Sequence, residues 1–162
     1  MATFYTSSRN HASPAQTNLT TTFKTMVELW SLTAQLYRHQ TFEIEVGADG
    51  APNATDCQIV YDVARETAQG TGGVTSVPNA LNPADITAAR TGNGINRTAE
   101  GTIGTAASLL AIALNQRASQ RWIAAPGKEL IFPATNVAGG AYRALSPTYA
   151  APVLYTVFFD EM

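Results

Sequence analysis

The chain contains little of what most catalytic and metal sites are made from. It has one cysteine, Cys57, and two histidines, His11 and His39. A single cysteine forms neither an internal disulfide nor a multi-cysteine zinc site, and its place in an alternating segment predicts a small buried side chain rather than a nucleophile. Each histidine stands alone, without a second ligand at metal-binding spacing. We therefore predict no metal and no cofactor, and we expect His39 to be a hydrogen-bonded or half-exposed strand residue.

Charged residues are also scarce. They make up 14% of the chain, and the formal net charge is −2, whereas soluble domains usually contain about 25% charged residues. Threonine, alanine, asparagine, glutamine and glycine carry the polarity instead, which predicts a neutral, hydroxyl-rich surface. Such a surface does not neutralise a phosphate backbone, so we expect no nucleic-acid partner. It also repels itself weakly, which suits a protein that works packed against others.

Long apolar runs are missing as well. No segment approaches the ~18 apolar residues of a membrane span, and the N-terminus shows no basic head followed by an apolar stretch. We therefore expect a protein that is made in a cytoplasm and has no membrane partner. A length of 162 residues predicts one domain.

Period-2 alternation of apolar and polar residues runs through much of the chain and predicts an all-β fold. Many short strands at regular spacing along the chain are typical of a two-sheet sandwich or a closed barrel. The run at 105–116 fits a strand or an alanine-rich helix alike, and its flanking strands favour a strand. About eight strands are predicted, at 19–30, 36–46, 56–64, 105–116, 122–123, 130–132, 142–145 and 153–159.

The last strand has apolar or β-branched residues on both sides. Val153, Tyr155 and Val157 fall on one side, and Leu154 and Phe158 on the other. Such a two-sided strand belongs inside a sheet. It therefore predicts a central strand that completes the sheet when the end of the chain pairs.

Two segments lack this alternation. Residues 1–18 predict an N-terminal arm or edge segment, so the β domain spans 19–162. Residues 66–100 are so often interrupted by glycine and proline that they predict one long inserted loop, with a short helical turn at 83–89. Long loops of this kind lie on the surface and are usually functional.

Acidic and glycine-rich motifs give no support to catalysis. Glu43 and Glu45 share one strand face and imitate a glycosidase pair, but alternating glutamates ordinarily form a solvated face. Lys24 and Glu28 alternate with the apolar residues of their strand, so both are expected on its solvent side. The glycine clusters at 70–73 and 92–94 open no helix after a buried strand and have no following Gly-Lys-Ser/Thr. We predict that the protein is not an enzyme.

Four features together resemble a known family. They are the Met-Ala start, the loop Pro78-Asn-Ala-Leu-Asn-Pro-Ala-Asp85, the Arg121-Trp122 strand and the ending Val157-Phe158-Phe159-Asp160-Glu161. Over most of its length the chain resembles the jelly-roll cement or decoration proteins of tailed-phage heads. The resemblance implies a jelly-roll-like antiparallel β-sandwich that sits as a homotrimer on the outer surface of the capsid. There it would clamp neighbouring major capsid proteins against internal pressure, without catalytic residues.

The N-terminal segment supplies the candidate contact residues. Phe4, Tyr5, Arg9 and His11 form the expected capsid-contacting arm, because the two aromatic residues have no obvious strand register. A carbohydrate- or receptor-binding module of a virion is the alternative. It needs exposed rings at Trp30, Trp122 or Tyr142 for stacking on a sugar, whereas packing in the core is the expected role of all three. A hydrolytic virion enzyme is the third hypothesis, but the sequence offers no set of residues typical of a catalytic site.

Overall fold

The computed structural model describes residues 2–9, 16–32, 37–84, 89–105 and 108–162. Within these ranges the protein is all-β, with 13 strands and no helix. All strand pairings are antiparallel. The strands are β1 (Thr3–Ser7), β2 (Lys24–Ser31), β3 (His39–Ala48), β4 (Gln58–Ala68), β5 (Val74–Ser76), β6 (Asn79–Ala80), β7 (Thr91–Ile95), β8 (Thr102–Ile103), β9 (Leu110–Asn115), β10 (Ser119–Ile123), β11 (Leu130–Ile131), β12 (Gly139–Leu145) and β13 (Val153–Glu161).

The strands form two sheets. The first has the order β10-β3-β13-β1-β6, and β11 pairs with the same edge of β3 as β10. The second has the order β5-β7-β2-β12-β4-β8, and β9 pairs with the same edge of β4 as β8. Most long strands are followed along the chain by a strand of the other sheet, although β4 and β9 both belong to the second sheet, so most neighbours within a sheet are distant in sequence.

One hydrophobic cluster draws on both sheets. Ile44 and Val157 of the first sheet and Val27 and Ile59 of the second are fully buried in it. Tyr155 lies at the centre, with its ring centroid 5.8 Å from that of Tyr142. Alternation explains this core, because every second side chain of a strand points to the same face.

The final strand is central, as its two-sided pattern predicts. β13 pairs with β3 on one side and with β1 on the other. The eight predicted strands all have counterparts, and the ambiguous run at 105–116 contains strand β9, although residues 106 and 107 lie outside the described ranges. The predicted number was too low, since four further strands occur in segments interpreted as arm or loop, and β8 (Thr102–Ile103) lies just beyond the predicted loop.

The arm interpretation of residues 1–18 needs correction at residues 3–7. These residues form β1, in which Phe4 pairs with Phe159 and Tyr5 with Phe158. The aromatic residues therefore do have a strand register. Sequence analysis missed it because the partner strand lies at the other end of the chain.

The long loop at 66–100 is corrected by its strands. β4 continues to Ala68, and β7 is a fully buried strand between β5 and β2. The sequence of β7, Thr-Gly-Asn-Gly-Ile, is typical of a turn, but a Cβ at Gly92 would lie 2.5 Å from the Trp30 ring. Glycine is needed there for close packing rather than for a turn. The helical turn predicted at 83–89 falls largely outside the described residues.

No helix among the described residues has the length and apolar character needed to span a membrane.

Candidate functional site

The first sheet leaves a mixed apolar and polar surface on the side away from the core. In β13, Leu154 and Phe158 alternate with core residues and stay partly exposed. In β1, Tyr5 lies directly opposite Phe158, and the two rings stack with centroids 6.1 Å apart. We call this side, formed by residues of β1, β3, β10 and β13, the outer face. An aromatic pair therefore occupies the outer face near its centre.

Charged residues lie beside the aromatic pair. Arg121 of β10 donates a hydrogen bond from Nε to Glu43 Oε1 at 2.5 Å, and Glu45 Oε1 lies 3.9 Å from the same nitrogen. The hydrogen bond to Glu43 raises the pKa of Arg121 above its ordinary value. The two glutamates thus share one cation; Glu45 is half-exposed, as expected for a solvated face, whereas Glu43 is buried. Next to them, the Ile123 side chain is 57% exposed.

A shallow pocket of about 350 Å³ adjoins this surface. Gly47, Ser119 and Leu154 are among its lining residues, together with the charged pair Glu45 and Arg121. The outer face therefore combines apolar contact area, hydrogen-bonding groups and a recess. That combination is typical of a protein interface, in which an apolar centre is surrounded by a polar rim.

The second sheet differs, because its corresponding side carries a buried charge cluster. Glu28 of β2 is fully buried, and Arg97 Nε donates to its Oε2 at 2.5 Å. Gly70 N donates to the other carboxylate oxygen of Glu28 at 2.7 Å. The Arg97 guanidinium also lies 5.3 Å from the centre of the Trp30 ring. The expectation that Glu28 faces solvent is therefore wrong.

Two further acids complete the cluster. Asp62 of β4 is paired with Arg143 of β12, directly across the strand pair. Glu66 is 2% exposed, and neither of its carboxyl oxygens has a hydrogen-bond partner. Burial, reinforced by the neighbouring Glu28, raises the pKa of Glu66 to about 9. With Glu66 neutral near pH 7, the two buried acids Glu28 and Asp62 balance the two arginines.

A carboxyl group with a raised pKa is a feature of general acid catalysis. In this cluster, however, both Glu66 oxygens are enclosed, so a bound substrate would have no contact with them. The arrangement instead joins β2, β4, β12 and the segment after β7. We therefore assign the cluster to stability.

His39 is also buried without polar contacts. Its ring is fully inaccessible, stacks on Phe132 with centroids 4.5 Å apart, and has no hydrogen-bond partner on either nitrogen. Burial lowers the pKa of His39 to about 3. The expectation of a hydrogen-bonded or half-exposed histidine is wrong, because β3 turns this residue towards the core. His39 acts here as a neutral aromatic side chain.

The four predicted arm residues do not form one contact surface. Phe4 is buried against Phe159 and offers no surface to a neighbour. Tyr5 lies on the outer face. Arg9 is exposed and forms an ion pair with Asp49, and His11 lies outside the described residues.

The rings named for carbohydrate binding are mostly enclosed. Tyr142 is fully buried, Trp30 is nearly so, and Trp122 packs partly against the core. Sequence analysis missed the Tyr5–Phe158 pair, whose only signal was the two-sided pattern of the last strand. Cys57 is partly buried beside the core and has no disulfide partner.

Among the described residues, no group of three or more histidine, cysteine, aspartate or glutamate side chains is arranged to hold a metal ion. The chain matches no protein-family model, no curated protein and no solved structure.

Proposed function

We propose that the protein is a structural component of a virus particle. In this proposal it is a cement or decoration protein that binds the outer surface of a tailed-phage head as a homotrimer. It clamps neighbouring major capsid proteins against internal pressure. The observation that carries the proposal is the outer face, where Tyr5, Phe158 and Ile123 leave apolar surface beside the Arg121–Glu43 pair.

The strand order supports a jelly-roll sandwich, the fold that the resemblance implies. Eight long strands follow the orders β1-β13-β3-β10 and β2-β12-β4-β9. Eight strands in two four-stranded antiparallel sheets, of which only β4 and β9 follow one another within the same sheet, are typical of a jelly roll. In this interpretation β5 to β8 form an insertion between β4 and β9. Jelly rolls are common in viral capsid proteins, but a fold does not determine a function.

The physical argument for a clamp rests on multivalency. A trimer that bridges several capsid subunits makes its second and third contacts intramolecular, so modest single interfaces add to strong attachment. Binding that requires the assembled shell stabilises the shell relative to its free subunits. A surface of low net charge also avoids the cost of desolvating many charges on binding.

The outer face is tested by a double variant, Tyr5→Ser with Phe158→Ser, in co-sedimentation with phage heads that lack the protein. Both rings are partly exposed, so we expect the variant to fold and to lose most shell binding. Val137→Ser is the matched control, because Val137 is 58% exposed and lies outside the outer face. Unchanged binding by the folded double variant would contradict this assignment.

A further inference from the structure

A second recess lies where the residue before β3 and the chain from β11 to Thr135 approach β4 of the second sheet. Its volume is about 570 Å³. Arg38 and Arg65 line it, and Ile131, Phe132 and Pro133 form an apolar wall. We call this recess the arginine pocket. It shares no lining residue with the pocket beside the outer face.

The arginine pocket is unusual in its charge. The chain has ten lysines and arginines, and six of them form ion pairs with acids. The four cations without an acidic partner among the described residues are Arg38, Arg65, Arg90 and Lys128. Two of these four line the arginine pocket, and no described acid does. In a protein with net charge −2, this concentrates uncompensated positive charge in one recess.

The backbone holds both arginines in place. Arg65 belongs to β4, and its Nη2 donates to the carbonyl of Ile131 at 3.3 Å. Arg38 exchanges two backbone hydrogen bonds with Met162, of 3.1 and 2.9 Å. A guanidinium has five N–H donors, so most of those on each side chain stay available to a ligand.

The lining chemistry selects the kind of ligand. Arginine pairs best with planar anions that accept two hydrogen bonds, such as a carboxylate. The wall beside the arginines is apolar, and Ile131 is 40% exposed. A peptide with an acidic residue next to an apolar one would match both the arginines and the apolar wall. A nucleic-acid backbone fits less well, because two cations neutralise few phosphates and the protein is negative overall.

We propose that the arginine pocket binds an acidic peptide segment of a partner protein. A carboxylate pairs with Arg38 and Arg65, and a neighbouring apolar side chain packs on Ile131 and Pro133. This inference concerns the ligand of one pocket and holds whether or not the partner is a capsid protein.

The test is a titration of the whole protein with two fluorescent peptides, followed by anisotropy. The acidic probe is Gly-Phe-Glu-Leu-Glu-Gly-amide with a dye on its N-terminus, and the matched neutral probe carries the same dye and replaces both glutamates with glutamine. We expect only the acidic probe to bind, and to change the backbone amide NMR shifts of the protein at residues 131, 132, 134 and 135. Arg38→Met and Arg65→Met keep the apolar stem of each side chain, and each should weaken binding by about tenfold, as expected for loss of a charge-assisted contact.

Lys128→Met is the control, since it removes an unpaired cation outside the pocket. It should bind the acidic probe like the wild type. Equal binding of both probes, no binding at millimolar concentration, or wild-type affinity in the folded Arg38 and Arg65 variants would overturn the proposal. Preferential binding of a short single-stranded DNA at the same residues would overturn it as well. Shell sedimentation of the same variants is measured separately, so failure of the peptide site and failure of the capsid proposal are distinguishable.

Discussion

Arg97 and Glu28 form an ion pair inside the protein. Arg97 Nε lies 2.5 Å from Glu28 Oε2, and the two side chains are 7% and 0% exposed. The residues are 69 positions apart in sequence, so the pair fastens the segment after β7 to β2. A buried pair of this kind contributes less than its geometry suggests, because both charges lose their hydration. Breaking one half leaves the other charge buried and uncompensated.

We therefore expect Arg97→Met to lower the free energy of unfolding by about 3–5 kcal/mol. The measurement is urea unfolding at pH 7. Arg117→Met is the control, because Arg117 pairs with Asp56 at an exposed site, and its loss should change the free energy of unfolding little. Replacing Glu28 and Arg97 together by methionine should recover part of the loss. If Arg97→Met costs no more than Arg117→Met, the pair is not buried as described.

Glu66 predicts that stability falls as pH rises through the neutral range. Its pKa is near 9 when folded and 4.5 ordinarily, so between these values the folded protein keeps a proton that the unfolded chain has released. Stability contributed by this group therefore falls as pH rises from about 4.5 to 9, by at most about 1.4 kcal/mol per pH unit. Glu66→Gln removes this titration. We expect the variant to gain stability relative to the wild type as pH rises from 5 to 8.5 in urea unfolding, whereas parallel curves would contradict the assignment.

His39 predicts the opposite dependence at acid pH. Its pKa is about 3 when folded and 6.5 ordinarily, so below pH 6.5 the unfolded chain takes up a proton that the folded protein excludes. Stability contributed by this group is therefore present above pH 6.5 and is lost as pH falls towards 3. His39→Phe keeps a ring against Phe132. Thermal unfolding at pH 5 and 7.5 should show a smaller loss in the variant than in the wild type; an equal loss would mean that His39 is not the group responsible.

The sequence predicted strands where its residues alternate in polarity, and it predicted a central strand where both sides are apolar. The alternation of Ile59, Tyr61 and Val63 indicates β4, and the two-sided pattern around Tyr155 indicates a central β13. Burial on one face leaves such a pattern because the side-chain period of a strand is two.

Strands whose burial comes from distant partners were missed. β7 contains Gly92 and Gly94, which look like turn residues until Trp30 and Arg97 are placed against them. β1 pairs with a strand about 150 residues away, and no local pattern records that contact.

The candidate sites were missed for the same reason. Tyr5 and Phe158 meet on the outer face only because β1 and β13 are neighbours. Arg38 precedes β3 of the first sheet and Arg65 belongs to β4 of the second, and the two line one pocket. Sequence analysis found Tyr5 as a contact candidate, but it also placed Phe4 on the surface, where the register of β1 places Phe4 in the core.

We propose that the protein clamps an assembled shell as a trimer. This is tested by light scattering of the purified protein, followed by co-sedimentation of the same fraction with phage heads that lack it. We expect a mass near three times 17.2 kDa, with binding to assembled heads and much weaker binding to free capsid subunits. A monomer that does not sediment with heads, or equal affinity for free subunits, would contradict it.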